Sequence, residues 1–433
     1  MSRHASSEVA TGRSTDVVVI GGGVMGLSIA WKLAATRGGN VRLLEQRVFG
    51  SGESGKSGAI LRQHYSHATL IRMARASLAE YRALHERTRG GIGFANPGML
   101  FVCDGRERAA LEQNVALQRS CGVQVELLDA TSLRKFEPRA TIEDGLVGAY
   151  EPEASFVVPG LTLAALAEEA RAAGATLEEG VRVVRLVTER NGSESSSRIR
   201  GVELADGRVV EAQTVVICGG PWSARLLATA GVELPLAAVK PEQAFFIPPN
   251  SSAPTTVRRS ETLGGEEPGS GRNRRSDHDD CIWADLVHGL YWKNEATGFT
   301  RVGQLAYEHD APIADPDAPD EGVTNAFLAD CRARLAKRIA AYRDTICWGG
   351  VSAMYTVTPD AQALIGPVPN LAGALIVSGF SGHGFKLAPS IGNAVTALLT
   401  GRDPAPFDPA FFAPDRFARG QKQSGAYGYS VLG

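Results

Sequence analysis

The sequence predicts an α/β fold organised on a dinucleotide-binding βαβ unit, and three observations carry that prediction. A short β-branched run, Asp16–Ile20, leads straight into Gly21-x-Gly23-x-x-Gly26. Helix-forming residues follow from Leu27 to Ala35, and a second strand, Val41–Glu45, ends on an acid. Strand, glycine turn, helix and acid-ended strand together make the complete Rossmann-like unit, where the glycine motif alone would say little. The chain also has 433 residues, enough for two or three folded units.

The remaining elements follow in order. Gly50–Ala59 is a stretch of small residues, followed by a helix at about Ala68–Arg87. Asn96–Cys103 reads as a strand and Arg108–Ser120 as a helix. Leu163, Leu166, Ala167 and Ala170 recur at helical spacing, and Val181–Val187 alternates as a half-buried strand does. Asp206-Gly207 is a hairpin signal between Gly201–Ala205 and Arg208–Val210, with a separate apolar strand, Val215–Ile217, after it. Asn250–Asp280 is rich in Ser, Gly, Pro, Arg and Asp. It lacks the apolar residues needed to order itself and is expected to be an exposed insertion. Gly289–Trp292 is a strand, and Leu328, Cys331, Leu335 and Ile339 mark the apolar face of a helix. Leu375–Val377, a glycine loop and a helix from about Pro389 to Leu399 close the pattern.

Composition excludes several classes. An apolar share of 44% and a charged share of 21% are ordinary for a globular protein. The 45 basic and 47 acidic residues leave a net charge of −2, no footprint for nucleic acid or an anionic membrane surface. No apolar run is long enough for a membrane helix, and the first residues read as a loose polar tail rather than a signal peptide. The six cysteines are scattered without a C-x-x-C pair, which fits a reducing, cytoplasmic compartment. The histidines form no metal-ligand spacing, so no metal site is expected; Asp277–Asp280 reads as solvated charge.

Each glycine motif implies chemistry. In Gly21-Gly22-Gly23-Val24-Met25-Gly26 the first glycine makes the turn, the second admits a pyrophosphate and the third packs helix on strand. Glu45 stands where a carboxylate accepts from ribose hydroxyls, which favours FAD or NAD over NADP. Gly50–Ser57 matches the P-loop pattern G-x-x-x-x-G-K-[ST], with Asp104 as a conceivable magnesium-binding acid. Because the strand before it already belongs to the dinucleotide unit, a loop beside the cofactor is the preferred reading and a P-loop NTPase the alternative. Gly379–Lys386 (GFSGHGFK) joins a strand to a helix N-terminus, a setting that suits an anion.

Gly21–Gly26, Glu45, Gly219–Trp222 and above all Gly379–Lys386 resemble the D-amino-acid-oxidase-like flavoenzymes, and among them the sarcosine oxidases. Gly55–Tyr65 is similar to the flavin-crossing segment of the heterotetrameric enzyme's beta subunit. Ala353–Asp360 is similar to the flavin-proximal segment of the monomeric enzyme. The resemblance runs from about residue 14 to 402. It implies an FAD-binding domain from 14–98, 150–232 and 345–402, and a second α+β substrate domain from 99–149 and 233–344 whose sheet covers the flavin. Residues 250–280 are then an insertion, and 1–13 and 403–433 are tails.

The activity implied is oxidation of the C–N bond of a small secondary amine or amino acid to an imine, with oxygen or another acceptor taking the electrons. A flavoprotein subunit without catalysis is the third reading. The resemblance assigns Arg62 and Lys386 to the substrate carboxylate and Tyr355 to an aromatic wall. Arg301 is the nearest cation to the place of an oxygen-activating lysine, and His64 and His383 are further catalytic candidates. Cofactor contacts are implied for the Gly21–Gly26 turn, Glu45, Gln46, Ser57, Gly58, Val183, Gly219, Trp222, Gly382, His383, Gly384, Phe385 and Lys386. Ala353 replaces the cysteine that attaches flavin in the monomeric enzyme, so non-covalent FAD is expected.

Overall fold

Val17, Val18 and Val19 carry no polar side chain, and all three are fully buried. A strand apolar on both faces has to lie inside a sheet covered on both sides. In the computed structural model, which describes residues 15–37, 40–190, 196–249, 281–295, 297–306 and 311–423, Thr15–Ile20 lies between two parallel neighbours. These are Val41–Leu44 and Val209–Ile217. Thr176–Glu178 and Ala374–Ser378 extend the parallel sheet, and Leu364–Pro367 closes one edge antiparallel. The helices Val24–Arg37, Pro159–Ala172 and Ala388–Thr400 pack together over one face.

Val210 and Val215–Ile217, expected on two strands, lie on one. The first half of Val209–Ile217 pairs antiparallel with Ser197–Leu204 through the predicted hairpin, and the second half pairs parallel with Thr15–Ile20. Burial alternates along the first half and becomes continuous along the second. The strand passes from a sheet with one wet face to a sheet with none.

The second sheet runs in the order Cys347–Ser352, Glu242–Phe246, Thr300–Gln304, Leu290–Asn294, Ile282–Asp285, Met99–Cys103, Val147–Glu151 and Glu126–Asp129. Helix Asn325–Arg338 covers it with Phe327, Cys331 and Leu335, whereas Leu328, expected on that face, is only half-buried. Arg338 takes a buried place because Asp285 meets it at 2.8 Å. The predicted insertion at 250–280 lies outside the described residues.

Residues 403–423, read as part of a tail, pack onto the fold. Phe407, Phe411 and Phe412 are buried. Arg416 is buried with Asp360, donating to it through Nε at 2.9 Å and Nη2 at 2.8 Å. The segment escaped sequence reading because its aromatics follow neither a helical nor a strand period.

Burial raises the Asp360 carboxyl, but Arg416 and the Gln423 and Gln362 amides bring it below the usual range. Removing one partner of such a pair strands a buried charge. Arg416→Met is therefore expected to lose about 3–5 kcal/mol of stability in urea unfolding. A loss below about 1 kcal/mol, the range of exposed pairs, would show that the clamp is not closed in solution.

Candidate active site

At the C-terminal ends of the parallel strands the chain turns away and leaves an elongated cleft of about 1540 Å³, open space at its mouth included. Such crevices are where open α/β sheets bind ligands. The first glycine turn builds one wall. A Cβ on Gly26 would lie 1.9 Å from the Gly21 carbonyl oxygen, so only glycine lets the helix start this close to the strand. Gly21, Gly23, Val24 and Met25 line the cleft where the helix begins. Glu45 and Gln46 line it too. The Glu45 carboxylate is fixed by the amides of Gly22 at 2.7 Å and Arg47 at 2.8 Å. Val183, Gly219, Trp222, Ser57 and Tyr355 complete the predicted lining.

Gly50–Ser57 folds onto this unit: the Gly50 amide donates to the Gly22 carbonyl at 3.0 Å and Ser54 Oγ accepts from the Val24 amide at 3.0 Å. A P-loop requires a buried strand entering its first glycine and a lysine turned toward the phosphates. Here the strand ends at Leu44, and Lys56 Nζ pairs instead with Glu321 at 2.8 Å. The P-loop reading is overturned. Glu53, Ser54 and Lys56 are cleft-lining residues that the small-residue stretch had signalled only collectively. Burial raises the Glu53 carboxyl to about 8, against the opposing effects of its backbone hydrogen bond and Lys56.

The second glycine cluster builds the far end. Gly382, Gly384 and Phe385 line the cleft. Gly382 has φ +85°, and a Cβ there would meet the Tyr355 ring at 2.6 Å. The two segments therefore specify each other. Immediately behind this wall are four of the sequence candidates, Arg62, His64, His383 and Lys386, all buried.

The Arg62 guanidinium donates to the His64 carbonyl and lies 4.8 Å from the Tyr65 ring centre. Tyr65 Oη is 3.3 Å from His383 Nδ1, and His383 Nε2 is 2.9 Å from the Ala361 carbonyl. Since a carbonyl only accepts, the ring proton sits on Nε2 and Nδ1 accepts from Tyr65. Burial, then Lys386, pushes His383 down to about 3. It is a neutral anchor of the glycine loop rather than a titrating base near neutrality. Burial and then Arg62 hold the Lys386 ammonium well below the usual lysine range. Burial lowers Arg62 as well, against Tyr65 and Glu151.

Arg301 and Gly58 do not line the cleft but stand together, a Cβ on Gly58 falling 3.6 Å from Arg301 Cδ. The Arg301 guanidinium is committed to Glu295, to Gln243 and to the Lys56 carbonyl at 3.0 Å. It ties the loop to the second sheet. Gly22 and Gly26 act from behind the wall, through packing.

Sequence reading missed Lys293. It is buried directly across from Arg301 in the strand pairing, 2.7 Å from Glu295 and 4.0 Å from the Phe156 ring centre. Burial lowers its ammonium while Glu295 supports it. The available signal was a lysine closing the apolar run Leu290–Trp292. Glu151, a buried acid beside His64, was missed as well.

Residues 16–398 match the profile described as DAO, FAD dependent oxidoreductase. The chain belongs to that family. It is 27% identical over 411 residues to 4-methylaminobutanoate oxidase (formaldehyde-forming) of Paenarthrobacter nicotinovorans, covering 93% of this chain and 45% of that one. The chain thus spans under half of that relative's length. It is 27% identical over 421 residues to human peroxisomal sarcosine oxidase, covering 93% and 96% of the two chains. Its fold superposes on L-proline dehydrogenase from P. horikoshii with a TM-score of 0.79 at 24% identity, over 95% and 99% of the two chains. The protein is an FAD-dependent oxidoreductase, as the resemblance implied. No helix among the described residues is long and apolar enough to cross a membrane.

The histidine anchor gives a signed expectation. A histidine held neutral to about pH 3 when folded, but free to protonate near 6.5 when unfolded, makes the unfolded state bind more protons between those values. Stability therefore falls on acidification through that window. His383→Asn should flatten the dependence of Tm on pH below 6.5 relative to wild type. Parallel curves for the two proteins would refute the buried neutral histidine.

Proposed function

We propose that this enzyme oxidises the C–N bond of a small, carboxylate-bearing amine or amino acid to an imine. The observation that carries the reading is the convergence of two buried cations, Arg62 and Lys386, behind the Tyr355 end of the cleft. A forked guanidinium beside a point-charge ammonium suits a carboxylate. The names of two relatives support it, since 4-methylaminobutanoate and sarcosine are both N-methyl amino acids.

The residues fit FAD. Gly21, Gly23 and Val24 offer the turn and helix N-terminus to the pyrophosphate, and Glu45 the carboxylate to the ribose. Val183, Gly219 and Trp222 line the remainder, and Gly382, Gly384 and Phe385 line the far end, where they would hold the flavin. Bound FAD supplies the acceptor for a hydride equivalent from the carbon beside the amine. The protein's task is to hold the carboxylate so that this carbon is presented, with Tyr355 as a wall. The amine nitrogen reacts unprotonated and gives up its remaining proton as the imine forms, so turnover should rise with pH. Neutral His383 keeps Tyr65 oriented by accepting from its hydroxyl.

Lys386→Met should weaken binding of carboxylate inhibitors by about 1.5–3 kcal/mol, the range for hydrogen bonds to charged groups. Flavin content should survive, and an uncharged amine should be affected much less. Equal losses for charged and uncharged ligands would sink the clamp. Ala353 has no thiol to attach flavin, so acid or heat denaturation is expected to release yellow colour into the supernatant. Colour retained in the precipitate would identify a covalent link elsewhere.

A further inference from the structure

The strand Glu242–Phe246 belongs to the second sheet, and its side chains alternate between two faces. Ala244 and Phe246 enter the apolar core that helix Asn325–Arg338 covers. Gln243 faces the other way and lines the cleft, although it is only 3% exposed. It lies opposite Gly303 in the strand pairing and diagonally from Arg301, within reach of that long side chain. Arg301 Nη1 donates to Gln243 Oε1. A guanidinium has donors only, so the atom that meets it is the amide oxygen. This settles the orientation of the amide: its nitrogen, with two N–H bonds, is turned away from Arg301. Among the described residues nothing accepts from that nitrogen. Arg301 is itself held by Glu295 at Nε and by the Lys56 carbonyl at 3.0 Å, so the arrangement exists before any ligand arrives.

The place of Gln243 along the cleft is fixed by its neighbours. The Lys56 carbonyl shares Arg301 Nη1 with it, and the Ala353 amide donates to the Pro241 carbonyl at 3.0 Å. Lys56, Ser57, Ala353 and Tyr355 all line the cleft, so Gln243 stands at the Tyr355 end.

We propose that Gln243 is a cofactor-binding residue that presents an N–H donor to the isoalloxazine ring of FAD, with Arg301 fixing its orientation. The proposal rests on the reading above that the ring occupies this end of the cleft. The edge of that ring carries carbonyl oxygens and unprotonated nitrogens, which are acceptors. A preorganised donor there favours the state of the ring with more negative charge, which is the reduced one. The Arg301 charge on the amide oxygen polarises the N–H bonds and strengthens the donor. Arg301 does not line the cleft, and Gln243 carries its influence to the wall.

A purely structural Gln243 would serve only as an acceptor for Arg301. Gln243→Glu separates the two roles, because it keeps an oxygen for Arg301, adds an ion pair and loses the N–H donor. Three quantities are read on the full chain: the FAD Kd on reconstituting apoprotein, the flavin midpoint potential, and the apoprotein Kd for ADP as probe of the nucleotide half. Gln243→Glu should raise the FAD Kd about tenfold and leave the ADP Kd unchanged. The balance between oxidised and reduced cofactor should move about tenfold toward oxidised, a fall of about 30 mV for a two-electron couple. Should Gln243→Glu fail to fold, Gln243→Met decides, since it removes the donor without adding charge; its potential should fall in the same direction and its FAD Kd rise about threefold to tenfold. An unchanged potential overturns the proposal whether or not the FAD Kd moves. An unchanged ADP Kd beside it leaves the placement of the ring standing. Equal weakening of FAD and ADP would put the nucleotide half beside Gln243 and defeat the placement itself.

Discussion

The side-by-side parallel pairing of Thr15–Ile20 with Val209–Ile217 and Val41–Leu44 is the constraint on which the cleft depends. Parallel strands end at the same edge of a sheet, so their following turns are delivered to one place. The Gly21 amide bonds to the Leu44 carbonyl and the Cys218 amide to the Ile20 carbonyl, both at 2.9 Å. Gly21, Glu45 and Gly219 thereby arrive together although nearly two hundred residues separate the first from the last. Neighbouring Ala374–Ser378 adds the Gly379–Phe385 loop to the same edge. The turns at this edge of the cleft are placed by hydrogen-bond ladders whose strands are buried and cannot slip register without exposing valine and isoleucine.

The second sheet meets that edge through apolar packing around Ile60 and through specific polar contacts. Arg301 holds the Lys56 carbonyl, and Glu151 holds the Gln63 amide. Both targets lie within the segment 56–65, which carries Gly58 and Arg62. This segment is thus held from the sheet side at two points, while helix Ala68–Arg87 continues the chain beyond it.

Periodicity and glycine placement made the nucleotide half legible from sequence, because they reflect local backbone needs. The helices Ala68–Arg87 and Arg108–Ser120 occupy the very spans that were read. Contacts set by the tertiary fold were not legible. Val209–Ile217 was split in two because its burial pattern changes midway. Arg338 broke an otherwise apolar helix face because its partner, Asp285, lies over fifty residues away. Arg62 and Lys386 were found through motif resemblance, but Lys293 and Glu151 belong to no motif. Each is a single charge in an apolar strand, and only the neighbouring strand or loop shows why it is tolerated.

Buried charge in this protein divides into two kinds, and the division separates framework from site. Asp285 with Arg338 and Asp360 with Arg416 are matched pairs. Their carboxyls are held below the usual range despite burial, and Arg338 is held above its own. Such pairs are stable in one protonation state, and breaking them costs folding free energy. Arg62 and Lys386 are both pushed away from the charged form, by burial in each case and, for Lys386, by the other cation. Two basic side chains buried near one another are costly for folding compared with apolar residues of similar size. Groups perturbed in this way cluster at functional sites. That difference is what sets Arg62 and Lys386 apart from the matched pairs and ties the carboxylate-bearing substrate proposed above to this corner of the fold rather than to its framework.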